Sequence, residues 1–319
     1  MECLTRAPPR IGRPSIPAET GDRHTWAVDR VHVTAPASSA NLGPGYDCLG
    51  VALPLRNDVV VERVAGPLEV VLRGAGADLL PADATNLVVQ SFRRSSGLTG
   101  DGLRFTLTNN VPLRSGTGSS SAAIVAGLAA GLAFSDRPLD VDTLLPLAIE
   151  IEGHPDNVAA AILGGFTIAL GGEPPLARRI APPAGLGFVL VVPTDTLCTQ
   201  ESRKALRTEI PRADAVYSLQ RSALLVDLLA TGALDLLPRA LSDRMHEPDR
   251  AALTPMLGQL RALDGNLPCF GVTLSGAGPS VLVWVREEGT EAAAAAVRAC
   301  VPDARVIPLL PDADGVRIE

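Results

Sequence analysis

Residues 111–123, Val-Pro-Leu-Arg-Ser-Gly-Thr-Gly-Ser-Ser-Ser-Ala-Ala, form a glycine- and serine-rich loop that runs straight into an uncharged, alanine-rich segment ending at Phe134. Gly116 and Gly118 permit backbone angles and close approaches that a Cβ forbids. The serines supply hydroxyls and helix-capping groups. A helix beginning here turns its unpaired N–H groups and its positive dipole end back on the loop. That assembly is suited to a phosphate, and so to a nucleotide. Taken alone, the loop also fits a buried helix cap that binds nothing.

Other readings of the loop fare worse. A Walker loop ends in Gly-Lys-Ser/Thr, and no Lys is present. A dinucleotide fingerprint needs a third glycine where this chain has Ser121. Gly127 and Gly131 form a GxxxG pair of the kind found in membrane helices. The apolar stretch Ala122 to Phe134 is nevertheless too short for a bilayer, which takes about 20 residues. No G-x-S-x-G elbow and no HExxH is found, which removes the commonest hydrolase chemistries.

A chain of 319 residues is long enough for two modest domains. Aromatics are only 3% of it, so Ala and aliphatic side chains must build the core. The net charge of −7 argues against nucleic acid as a partner while leaving room for a local basic pocket. The five cysteines (Cys3, Cys48, Cys198, Cys269, Cys300) follow neither zinc spacing nor a disulfide framework. Free thiols in a reducing cytoplasm are the simplest account. Residues 1–29, rich in Pro, Arg and Thr and without an apolar run, read as a disordered extension rather than a signal peptide. No segment reads as a membrane span.

Strands are expected at 31–34, 58–64, 68–72, 103–109, 164–170, 188–192, 269–274, 281–285 and 304–309. Helices are expected at 86–95, from Ser119, and at 142–152, 213–231, 234–242, 254–263 and 291–299. Pro, Gly and Arg accumulate over 171–185, which marks a boundary between two α+β halves.

Further clusters carry chemistry. In Ser38-Ser39-Ala40-Asn41-Leu42-Gly43-Pro44-Gly45-Tyr46-Asp47, a tight turn would bring an amide and a carboxylate together as a receptor for an ammonium group. An Asx-stabilised loop is the plain alternative. Glu150 and Glu152 stand at a helix end where the dipole disfavours them, which makes them candidates for Mg²⁺. Arg203 and Arg250 are each able to clamp a carboxylate. A second glycine turn, Ser275-Gly276-Ala277-Gly278-Pro279-Ser280, stands between two strands.

Three segments in this order, Pro-Ala-Ser-Ser-Ala-Asn-Leu-Gly-Pro-Gly-Tyr-Asp (36–47), Pro-Leu-Arg-Ser-Gly-Thr-Gly-Ser-Ser-Ser-Ala (112–122) and Ser-Gly-Ala-Gly-Pro-Ser (275–280), resemble the motifs of the GHMP small-molecule kinases. Leu49-Gly50 after the first motif and Glu-Gly-His-Pro-Asp-Asn (152–157) are similar to the homoserine kinase branch. The resemblance covers about Val31 to Leu309. It implies an α+β protein of two domains: an S5-domain-2-like ATP-binding domain over 30–180 and a ferredoxin-like domain over 181–319. The site would lie between them.

The implied reaction moves the γ-phosphate of ATP to the hydroxyl of L-homoserine in threonine biosynthesis; another small alcohol, an amino alcohol or mevalonate, is the rival acceptor. By resemblance, Asn86 and the loop residues Pro112, Leu113, Arg114, Ser115, Gly116, Thr117, Gly118, Ser119, Ser120, Ser121 and Ala122 hold the nucleotide. Ser119 or Ser120 with Glu152 would hold Mg²⁺, with Glu150 as the fallback. Asn41, Asp47, His154, Arg203 and Arg250 match the acceptor pocket. Asn157, Glu152 and Ser119 match the catalytic positions, with Asn157 orienting the hydroxyl. A homodimer is a family expectation. Thr117, Ser121, Arg114, Tyr46 and Asp249 depart from the usual pattern.

Overall fold

The computed structural model describes residues 28–195, 197, 199–263 and 267–319. Most of the expected extension over 1–29 therefore lies outside the described residues. Its last two are engaged: Val28 packs on the first core, and Asp29 pairs with Arg63 at 3.3 Å.

The first half is built on β1 (Arg30–Ala40), β2 (Leu49–Arg63), β3 (Glu69–Gly74), α1 (Leu87–Ser96), β4 (Leu103–Asn109), α2 (Ser119–Phe134), α3 (Val141–Glu152), α4 (Asp156–Leu163), β5 (Phe166–Leu170) and β6 (Leu176–Ile180). β1 pairs antiparallel with β2 from Arg30↔Glu62 to Ala40↔Gly50, with a register shift between Pro36 and Ala37. The sequence suggests a first strand over 31–34 that ends at Ala35-Pro36. It continues because the irregularity absorbs the proline, whose missing N–H a regular ladder would need. The long β2 then serves two neighbours: its late part pairs with β4 and its early part with β5. β6, inside the stretch read as a boundary, pairs with β5 as an outer strand.

α2 is buried on nearly every side, which explains why its sequence carries no polar stripe. Its GxxxG pair packs against α1. A Cβ at Gly127 would stand 2.5 Å from the Val88 carbonyl, and one at Gly131 would meet the Ser95 hydroxyl and the Phe92 carbonyl. The small residues therefore serve close packing of two helices inside a core. Among the described residues no helix is long and apolar enough to cross a membrane.

The second half contains β7 (Leu186–Val192), α5 (Thr199–Lys204), α6 (Arg212–Thr231), α7 (Glu247–Arg250), α8 (Pro255–Arg261), β8 (Gly271–Leu274), β9 (Val281–Arg286), α9 (Thr290–Cys300) and β10 (Arg305–Leu309). Its antiparallel sheet runs in the order β10-β7-β9-β8, the ferredoxin-like arrangement. α8 and α9 cover one face through Met256, Leu257, Leu260, Ala293 and Val297. The other face looks at the first half. There Phe166 of β5 meets Phe188 of β7 and Trp284 of β9, with ring centroids 6.2 and 5.9 Å away. With so few aromatics in the chain, three at this junction show where bulk was needed: one core, including Leu42, Val51 and Leu53 with Leu190 and Leu225, joins the halves.

A late segment returns to the first half. β11 (Arg317–Ile318) pairs with β1, Val316 is buried in the first core, and Arg56 grips Asp312 at 2.6 Å.

Candidate active site

Three turns meet where the halves join. Ser38 N donates to the Thr117 carbonyl, Gly276 N to the Ala40 carbonyl and Ser280 N to the Ser115 carbonyl. The Ser275 hydroxyl donates to the Gly116 carbonyl at 2.8 Å. Gly116 is obligatory here: its φ is +79°, and a Cβ would lie 2.3 Å from the Ser275 carbonyl and 2.6 Å from that of Gly278. The third glycine turn thus braces the first two from behind.

The turns line one side of a cleft of about 640 Å³. Of the residues singled out in the sequence, Asn41, Asp47, Asn86, Leu113, Arg114, Ser115, Gly116, Gly118, Ser119, Ser120, Glu152, His154, Asn157, Arg203 and Arg250 line it. Pro112, Thr117, Ser121 and Ala122 stand behind it. The Pro112 carbonyl accepts the Ser115 and Thr117 hydroxyls, which shapes the loop, and Ala122 is in the core. Asn86 caps α1, accepting from Val88 N and donating to the Pro81 carbonyl.

At one end of the cleft, α2 opens after Gly118, whose φ of +66° sets the helix start against the cleft. Glu152, the last residue of α3, reaches the same place. Its Oε1 accepts from the Ser120 and Ser121 hydroxyls, both at 2.7 Å. Glu150 instead pairs with Arg94 at 2.7 Å and does not line the cleft. The carboxylate and hydroxyls around Glu152 are hard oxygen donors of the kind Mg²⁺ takes. Among the described residues no group of three His, Cys, Asp or Glu is placed to hold a metal. A cation here would need phosphate oxygens and water to complete its shell.

Gly153 ends α3 in a left-handed conformation, and Pro155 turns the chain into α4. Asp156 Oδ1 accepts from His154 Nδ1 at 2.9 Å and from Asn157 N at 2.8 Å. Burial works against charge on His154, but the Asp156 hydrogen bond and the charges of Asp156 and Glu152 outweigh it, so its pKa is raised. Asn157 Oδ1 accepts the Ser38 hydroxyl at 2.9 Å. That bond fixes the amide with its NH₂ as the remaining polar end.

At the other end the first motif adopts strained backbone: Asn41, Leu42 and Asp47 all have positive φ. Asn41 holds the turn closed, donating to the Gly276 carbonyl at 2.8 Å and accepting from Asp47 N at 2.9 Å. Arg203 makes a two-pronged contact with Asp47, at 2.8 and 3.2 Å, and also donates to the Tyr46 hydroxyl. Its helix is anchored by Ser202, which donates to the Ala277 carbonyl. Arg250 is 1% exposed, and its Nε has no protein partner. Burial pulls its pKa down. Asp249 turns away to Arg207.

Sequence reasoning quoted Ser38 and Asp156 within its clusters without giving either a role, and did not single out Asn57 or Asn109. Asn57 and Asn109 are buried and line the cleft beside the start of the loop. Asn57 Oδ1 accepts from Asn110 N and Val111 N, which aims the loop. The pair of polar residues at the ends of the β2–β4 ladder was the available signal.

A glycine loop on a buried helix, a carboxylate beside its hydroxyls and two arginines in one cleft suit a phosphate group and a small charged partner. The GHMP kinases N terminal domain matches residues 84–165, and the GHMP kinases C terminal domain matches 225–303. Homoserine kinase of Desulfitobacterium hafniense is 42% identical over 265 residues, 82% of this chain and 89% of that protein. Homoserine kinase of Deinococcus radiodurans is 42% identical over 267 residues, 82% and 86% of the two chains. The crystal structure of homoserine kinase from Cytophaga hutchinsonii superposes with a TM-score of 0.82 at 26% identity, covering 95% of this chain and all of that one. The chain belongs to the homoserine kinase family.

Proposed function

We propose that the protein transfers the γ-phosphate of ATP to the side-chain hydroxyl of L-homoserine. The observation that carries this reading is the pairing, in one cleft, of a phosphate-binding turn with the opposed charges of Asp47 and of Arg203 and Arg250. An α-amino acid carries the complementary pair, an ammonium and a carboxylate. Mevalonate lacks the ammonium, and choline lacks the carboxylate.

The loop from Leu113 to Ser120 and the start of α2 receive the ATP phosphates through backbone N–H groups and the helix dipole. Glu152 with Ser120 and Ser119 would hold Mg²⁺, which neutralises phosphate charge as the transfer proceeds. Asp47 takes the ammonium, and Arg203 and Arg250 take the carboxylate. For this, Arg203 exchanges part of its contact with Asp47 for the substrate. Asn157, fixed by Ser38, orients the hydroxyl in line with the γ-phosphorus. The hydroxyl oxygen bonds to phosphorus as the bond to the bridging oxygen breaks, giving ADP and O-phospho-L-homoserine with release of the hydroxyl proton. A loose phosphoryl transfer depends chiefly on positioning and charge neutralisation. Asn157 and the Mg²⁺ ligands therefore set kcat, and Asp47 and Arg203 set the acceptor KM. The reading includes a cytoplasmic setting, in keeping with the free thiols of Cys48 and Cys300, and a homodimer.

The test is ADP release with ATP, Mg²⁺ and a panel of L-homoserine, D-homoserine, L-threonine, L-serine, mevalonate and choline. Turnover with L-homoserine alone is expected. Turnover with mevalonate or choline instead would overturn the acceptor.

A further inference from the structure

His246 lies one turn before Arg250, is 1% exposed and makes two hydrogen bonds of 2.8 Å. One joins its Nδ1 to Arg250 Nη1, and the other joins its Nε2 to the Gly43 carbonyl. A guanidinium only donates, so Nδ1 is the acceptor. The ring is then the neutral form with its proton on Nε2, donated to Gly43. Its face lies against Tyr46, with centroids 5.2 Å apart, and Arg250 sits 5.6 Å from the centre of the same ring. Asp243 sets the backbone beneath, accepting from the N–H groups of Met245, His246 and Glu247.

One imidazole thus ties the buried cation to the turn that carries Asp47. Gly43 tolerates no side chain at this junction: a Cβ would stand 2.6 Å from the Leu241 carbonyl. We infer that His246 is a positioning residue that fixes the distance between Arg250 and the Gly43–Asp47 turn, and so the spacing of the two charges offered to an amino-acid acceptor. This assignment rests on the proposed reaction.

Two variants divide the two bonds. His246→Asn keeps an acceptor near Nδ1 and loses the donor to Gly43; His246→Gln keeps a donor near Nε2 and loses the acceptor for Arg250. Each is expected to raise the KM for L-homoserine about tenfold while kcat and the ATP KM change less than twofold. With 3-aminopropan-1-ol, which lacks the carboxylate, His246→Gln is expected to match the wild type. In an Arg250→Lys background the His246→Gln effect should vanish, and this comparison holds even where stability falls. A wild-type acceptor KM in both variants, with only a lower melting temperature, would overturn the assignment. So would equal rises in the KM for ATP and acceptor, or a His246→Gln effect that persists in full beside Arg250→Lys. A wild-type enzyme silent on L-homoserine would instead sink the proposed function, and this assignment with it.

Discussion

The two ends of the cleft are built in different ways. The end proposed for the nucleotide is mostly backbone: a contiguous loop, a helix start, and glycines pressed against carbonyls of a neighbouring turn. The end proposed for the acceptor is side chains brought from positions 41, 47, 203, 246 and 250, held by an ion pair, an imidazole and strained φ angles. Backbone presented by a braced turn tolerates change in side chains and no change in shape. A charge constellation has the opposite tolerance: it depends on the identity of each group and on what holds it.

The harshest way to test this contrast is Gly116→Ala. A left-handed residue costs about 1–2 kcal/mol without glycine, and overpacking against two carbonyls adds about 1–3 kcal/mol. A fall in the urea midpoint and a loss of ATP affinity are expected together; an unchanged midpoint would show that the brace gives way easily. Next is Asp47→Asn, which removes a charged partner while conserving shape. A hydrogen bond to a charged group is worth about 1.5–3 kcal/mol, so the acceptor KM should rise by about 10–150-fold with the ATP KM unmoved. Asn157→Ala should lower kcat by about 10–100-fold, as misplacement of a reacting group does, with KM values little changed. Retention of full kcat would remove Asn157 from the chemistry.

The smallest expected effect is on pH dependence. Burial pushes the Asp243 carboxyl up, but the N–H donors of Met245, His246 and Glu247, with the protonated Nε2 of His246 3.7 Å away, override it, so it titrates below the ordinary carboxylate range. A depressed folded pKa gives stability that is fully present above the unfolded value of about 3.9 and is lost as pH falls through the folded one. Urea midpoints should therefore fall on acidification below about pH 4, and Asp243→Asn should flatten that slope.

The contiguous end was legible because its residues lie within one motif. The loop, α2 and the stop at Gly153 follow from glycine, serine and apolar content alone. The acceptor end was legible as separate candidates and not as an arrangement. Nothing local in Arg203 announces its grip on Asp47, 156 positions earlier. β6 was missed because Leu-Ala-Arg-Arg-Ile is too short and too charged to read as a strand, and pairing with β5 makes it one. α4 was hidden by the proline before it and by its length of 8 residues. The early part of β2 was missed because Leu49 to Leu53 is apolar throughout; it is buried beneath both halves. Asn57 was not singled out, and its amide aims the glycine loop across 53 positions.

The return of residues 312–318 to the first sheet orders events during synthesis. Until they emerge, the edge of β1 lacks its last partner, the place of Val316 is empty and Arg56 has no Asp312. The earliest of the described strands to leave the ribosome is therefore among the last to be sealed. A nascent chain stalled anywhere in the second half carries an open strand edge, which is a template for pairing with other chains.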